Sequence, residues 1–156
     1  MTAHVHQLSR SPGGVPKRAV DRVRISALGL EGDWQHDRVH HGGPDRAVCL
    51  FPLELIETLQ AAGHPIVPGA VGENVTTRGV AWEQMVPGTR VRLGGEVELE
   101  IVSYTAPCKT IRAAFADHDF TRISQKVHPG ESRVYARVLR DGEVAVGDVI
   151  TVHPAG

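Results

Sequence analysis

Apolar and polar positions alternate along several short stretches of the chain, and most of these stretches end at glycine, proline or aspartate. Ala19–Ile25 (AVDRVRI), Thr89–Leu93 and Val97–Val102 (VELEIV) show the two-residue period of half-buried strands. Val5–Leu8 predicts a further short strand, and the apolar run in RAVCLF (Arg46–Phe51) predicts a buried one. After Pro52-Leu53-Glu54, Leu55, Ile56 and Leu59 fall on one helical face, so a helix is predicted through Ala62, with Gly63 as its stop. Gly94-Gly95 predicts a hairpin between its flanking strands. Asp141-Gly142 predicts a second hairpin, between Arg133–Leu139 and Glu143–Val152. Pro107–Ala116 predicts a short helix or helical turn, whereas Ser11–Lys17, Gly29–Gly43 and His64–Gly79 read as loops. The tally is about seven strands and two or three short helices. Closing such strands on themselves removes the exposed edges of a small sheet. The expected fold class is therefore mainly β, a closed, mostly antiparallel β-barrel with short helical insertions, in a single domain spanning residues 1–156.

Composition adds exclusions. Hydrophobic residues make up 41% and charged residues 22% of the 156, as in ordinary globular domains. A net charge of -1 removes the bulk electrostatic footprint of a nucleic-acid binder. No apolar run approaches the roughly 20 residues of a membrane helix, and the start MTAHVHQLSR has no apolar core before a cleavage site. No nucleic-acid or membrane partner and no signal peptide are expected. Cys49 and Cys108 belong to no CxxC pair and are too few for a disulfide framework, which points to a reduced, cytoplasmic setting.

The loops hold the candidate chemistry. Gly32–Arg46 carries His36, His40 and His41 among Asp33, Asp37 and Asp45. It reads either as a loop that bonds its own backbone or as one facing a substrate, cofactor, metal or anion. Pro68–Thr77 (PGAVGENVTT) offers glycine amides together with Glu73, Asn74, Thr76 and Thr77, as an anion-facing loop or a structural turn. Arg10–Arg18 places Arg10, Lys17 and Arg18 beside Ser11 and two glycines, either a phosphate cradle or a solvated basic turn. Cys49 lies in an apolar run and reads as a small core residue. Cys108 follows Pro107 at the start of the predicted helix and precedes Lys109, surroundings that favour an anion. A thiolate there is a nucleophile or a soft metal ligand, and the bland alternative is a capping cysteine.

Four blocks together resemble the MOSC domain, found at the C-terminus of molybdenum cofactor sulfurases and in stand-alone bacterial proteins. They are GLEGDWQHDRVHHGGPDRAVCLFP, PGAVGENVTT, the Pro107-Cys108-Lys109-Thr110 segment and RVYARVLRDGEVAVGD, in the family's order. The resemblance implies a β-barrel that binds the molybdenum cofactor, a pterin with a phosphate tail and a dithiolene, with Cys108 as the molybdenum ligand. Arg10 and Ser11 match a Lys-Ser pair that holds the phosphate in the amidoxime-reducing relatives, and Arg46 falls near another phosphate contact. Lys17 adds a cation for the same phosphate, and Asn74 and Thr76 lie in the loop that faces the pterin. Cys108 and His41 are the catalytic candidates; His40 and Glu73 stand in the same motifs without an assigned role.

The activity so implied is an oxidoreductase that reduces N-hydroxylated small molecules with electrons from a redox partner protein. The alternative is a sulfur carrier, with a persulfide on Cys108 supplied by a cysteine desulfurase, or a module that only binds and delivers the cofactor. Pyridoxal phosphate is not expected, since the resemblance attaches it to a separate desulfurase domain. Neither the extra N-terminal domain of the amidoxime-reducing relatives nor the C-terminal helical extension of larger bacterial ones is expected from these 156 residues.

Overall fold

The computed structural model describes residues 2–33 and 43–155. The chain begins with β1 (His4–Arg10), β2 (Arg18–Val20), β3 (Arg22–Ser26) and β4 (Gly29–Leu30). A strand, helix, strand unit follows: β5 (Val48–Pro52), α1 (Leu53–Ala61) and β6 (Val75–Arg78). The rest is β7 (Arg90–Leu93), β8 (Val97–Tyr104), β9 (Val134–Arg140), β10 (Gly142–Ala145) and β11 (Ile150–His153). Eight strands form one sheet in the order β11-β7-β8-β9-β5-β6-β1-β2, and β10-β3-β4 form another. Among the described residues every pair is antiparallel except β5 with β6, the pair that α1 connects. Val5 N–H donates to Asp148 O and Ile150 N–H to Ala3 O, both at 2.9 Å, so the start of β1 is tied to the segment entering β11. No described helix is long and apolar enough to cross a membrane.

β5 positions everything that follows. All five of its residues are buried, because both its faces are covered. Val48 and Leu50 join the main core with Leu8, Val75, Leu99 and Val134. Phe51, on the other face, joins a second cluster with Ile56 and Leu59 of α1 and with Ile111 and Phe115. Side chains of a strand alternate between faces, so Cys49 shares the outer face with Phe51.

The helix over Pro52–Ala62 and the hairpin at Gly94-Gly95 form as predicted, with Leu93 opposite Val97. Four expectations need correction. The stretch His64–Gly79 is not all loop: Val75–Arg78 is a central strand whose threonines, Thr76 and Thr77, are fully buried. Their hydroxyls disguise β-branched side chains that suit a sheet. Ala19–Ile25 is not one strand. It breaks at Asp21, sending Arg18–Val20 to β1 and Arg22–Ser26 to the smaller sheet. Asp141-Gly142 closes no hairpin: Gly142 opens β10, which pairs with β3, while β9 pairs with β5 and β8. A side chain at Gly142 would collide with Glu96, so this glycine serves close approach and not a turn. Gly29–Leu30, read as the start of a loop, is the short strand β4. The helical turn expected within Pro107–Ala116 forms as a 3-10 turn over Lys109–Ala114. Such a turn is too short to sum many peptide dipoles.

Gly69 fixes how the loop before β6 meets the loop after β1. Its φ is 88°, its carbonyl accepts the Lys17 N–H at 3.0 Å, and a Cβ there would lie 2.5 Å from the Lys17 carbonyl oxygen. Gly69→Ala is expected to cost about 2–4 kcal/mol, from left-handed strain and overpacking combined. Urea unfolding reads it directly, and an unchanged midpoint would contradict the packing described.

Candidate functional site

The outer face of β5 and β9 is the floor of a cavity. Cys49 and Tyr135 are register partners across these strands, and Arg133 lies on the same side as Tyr135, opposite the core-facing Val134 and Ala136. The segment Ala106–Ile111 and the loop around Val15 supply walls. The space enclosed is about 180 Å³, and Lys17, Arg46, Cys49, Cys108, Arg133 and Tyr135 all line it.

One wall is held by a buried ion pair. Lys17 Nζ donates to Asp33 Oδ2 at 2.8 Å, with side-chain exposures of only 1% and 7%. Asp33 accepts two further hydrogen bonds, from Ser11 N–H at 2.9 Å and from Asn74 Nδ2 at 2.9 Å. Asn74 extends the network: its Oδ1 accepts the Cys49 N–H at 2.9 Å and its Nδ2 also donates to Ser9 O at 3.2 Å. The paired charges satisfy one another, which is the condition for burying them.

The two thiols differ. Cys49 is buried, its Sγ lies 3.7 Å from Thr105 Oγ1, and burial pushes its thiol pKa up. Cys108 is half-buried, in extended conformation just before the 3-10 turn, with its Sγ 2.9 Å from Thr110 Oγ1. Burial likewise raises the Tyr135 phenol, so it stays protonated at neutral pH. The Arg46 guanidinium lies over the Tyr135 ring, 5.8 Å from its centroid. Arg133 is buried, donates from Nη1 to Val71 O at 2.6 Å, and has no described partner at Nε.

Of the residues singled out in the sequence, the cavity brings together Lys17, Arg46, Asn74 and Cys108. Three others lie off its lining. Arg10 donates from Nη1 to Glu31 O at 2.7 Å, Ser11 Oγ donates to Gly13 O at 2.9 Å, and Thr76 Oγ1 donates to Glu73 Oε2 at 3.1 Å. His41, with His36 and His40, lies outside the described residues. Among the described residues no cluster of three or more His, Cys, Asp or Glu could hold a metal by itself.

In the Pro68–Thr77 loop, the glycine amide expected to approach an anion is taken by an internal carboxyl group. Gly69 N–H donates to Glu73 Oε2 at 3.0 Å. Burial pushes the Glu73 carboxyl above its ordinary value, against these hydrogen bonds and the charge of Arg133. Sequence reading missed Arg133 and Tyr135 and took Cys49 for core alone. The signal was present in SRVYARV, where alternation sets Arg133 and Tyr135 on the face opposite Val134 and Ala136.

A family model, "MOSC domain", matches residues 37–151. Uncharacterized protein YflK of Bacillus subtilis is 33% identical over 136 residues, covering 86% of this chain. A protein of Gibberella moniliformis named "Reductase" is 30% identical over 135 residues, covering 83% of this chain. The chain spans 60% of the length of YflK and 23% of that reductase. The crystal structure of the YUAD protein from Bacillus subtilis superposes with a TM-score of 0.75 at 20% identity, covering 100% of this chain and 98% of that one. This likeness shows a shared fold.

Two outcomes follow from the buried charges. Lys17→Met strands the Asp33 carboxylate and is expected to destabilise by about 3–5 kcal/mol, measured by urea unfolding. Glu73 holds its proton to higher pH in the folded state than in the unfolded chain, so it removes stability as pH rises above the ordinary 4.5. Glu73→Gln should flatten that decline in a stability profile from pH 4.5 to neutrality, and an unaltered slope would refute it.

Proposed function

Because this chain belongs to the MOSC domain family, we propose that its cavity binds the molybdenum cofactor and that the loaded protein is an oxidoreductase for N-hydroxylated compounds. The observation that carries this reading is the meeting of a half-buried thiol, Cys108, with Lys17 and Arg46 on one cavity. The donor set fits the group. A thiolate is a soft ligand for a metal already bound by sulfur, and the cations suit a phosphate. When bound, the cofactor supplies two-electron redox chemistry, which with two protons converts an N–OH group to N–H and water.

The chain's own residues do the rest. Lys17 and Arg46 would hold the phosphate, and Cys108 Sγ would serve as the metal ligand. Val15, Val71 and Ile111 give the cavity apolar walls that limit water. The protonated phenol of Tyr135 is a donor on its floor. Asn74 acts one layer back, since its amide is engaged by Cys49, Ser9 and Asp33. Electrons come from a redox partner protein in the cytoplasm. We also read the large sheet as closed into a barrel, supported by the bonds between Val5 and Asp148 and between Ala3 and Ile150.

A sulfur-carrier role is the second reading, favoured by the partial exposure of Cys108. There the outer sulfur of a desulfurase persulfide moves to Cys108, leaving the desulfurase thiol. A sulfur adduct on Cys108 after incubation with a cysteine desulfurase and cysteine, without reductase activity, would select it.

Protein from a host that makes the cofactor is expected to carry molybdenum and pterin. Cys108→Ser should lower molybdenum retention at least as much as loss of an outer-shell contact does, about 10–100-fold. Equal molybdenum content in the variant would remove Cys108 as ligand, and absence of both metal and pterin from the wild type would overturn the reading.

A further inference from the structure

Among the described residues, the charge of Arg133 on the cavity is poorly answered by hydrogen bonds. The residue is 6% exposed, yet among the described residues its guanidinium makes a single hydrogen bond, from Nη1 to Val71 O. Nε is buried without a partner. A guanidinium has five N–H donors, and a buried one left unmatched is costly. Lys17, by contrast, is answered by Asp33 at 2.8 Å. No carboxylate lines the cavity among the described residues. Glu73 feels the charge of Arg133, but its hydrogen bonds go to Gly69 and Thr76, and burial raises its pKa, which favours the neutral form. With Nη1 committed to Val71 and Nε sealed from the cavity, Nη2 is the part of the fork still able to receive an oxyanion.

We propose that Arg133 is an oxyanion-binding residue, docking a carboxylate or phosphoryl group of the small-molecule substrate in the cavity beside Cys108. This deepens the reading above, and rests on it only in calling the ligand a substrate. Anion binding itself requires no cofactor. The substrate class is thereby narrowed to N-hydroxylated compounds that carry an anionic group. Recognition is by an N–H held in a fixed direction by the planar guanidinium and not by a freely rotating point charge, so lysine is an imperfect replacement.

The test uses full-length protein from a host that does not make the cofactor. Thermal unfolding is followed against inorganic phosphate and, separately, acetate, with chloride holding ionic strength constant. A ligand that binds the folded state raises the melting temperature in a saturable way. Saturation by phosphate that Arg133→Met weakens identifies a phosphoryl group at Arg133, and saturation by acetate so weakened a carboxylate, whereas phosphate binding that the variant leaves unchanged belongs to Lys17 and Arg46 and overturns the proposal. Arg133→Met should weaken the apparent affinity about ten- to a hundredfold, the worth of a hydrogen bond to a charged group. Arg133→Lys should fall between, and Arg24→Met, which removes an exposed cation paired with Asp141, should match the wild type. The same anion should slow alkylation of Cys108, followed by peptide mass spectrometry. If Arg133→Met does not fold, the wild type, Arg133→Lys and Arg24→Met decide. No saturable effect of either anion on the wild type overturns the proposal, as does undiminished affinity in Arg133→Lys and a folded Arg133→Met, or an equal loss in Arg24→Met. Molybdenum loading is measured on other protein, so failure here leaves the cofactor reading standing.

Discussion

The carboxylate of Asp33 is the point on which the site is built. It takes a proton donor from each of three directions: the Lys17 ammonium, the Ser11 amide and the Asn74 side chain. Through Asn74 the same network reaches the backbone of β1 at Ser9 and of β5 at Cys49. A charge this deeply buried is tolerated only while its partners stay in place. The constraint therefore runs outward, fixing the loop after β1, the entry to β6 and the cavity wall together. Lys17 is held by the fold before any ligand arrives, which is how a site is pre-organised.

The sequence was most readable where periodicity and burial coincide. The helix after Pro52 and the strands around Gly94-Gly95 follow from apolar spacing and turn chemistry alone. It was least readable where one residue type serves two purposes. Thr76 and Thr77 look like loop residues yet occupy a buried strand, where their β-branched side chains suit the sheet and the Thr76 hydroxyl bonds Glu73. Asp141-Gly142 looks like a turn yet begins a strand that pairs with β3, over a hundred positions earlier in the chain. That pairing is non-local, and no local pattern specifies it.

The site shows the same division. Cys108 stood out by its neighbours in the chain, and it lies on the cavity with Lys17 and Arg46. The helix-end electrostatics first offered for it weaken with the structure, since only a 3-10 turn follows it. Its case rests instead on what shares the cavity. Arg10 and Ser11 are spoken for by Glu31 and Gly13, partners that could not be named from spacing. Arg133 and Tyr135 came to notice only when β9 was paired with β5, because facing depends on register as well as alternation.

β5 belongs to both hydrophobic clusters, through Val48 and Leu50 on one side and Phe51 on the other. Opening either cluster therefore disturbs a strand on which the other also packs, which couples the two. In hydrogen-exchange terms, the amides of β5, β6 and β9 belong to one cooperative unit instead of a stable core with a soft site attached. A ligand that seats on the floor formed by Cys49 and Tyr135 would then be felt as slowed exchange at Leu50 and Val75, residues it never touches.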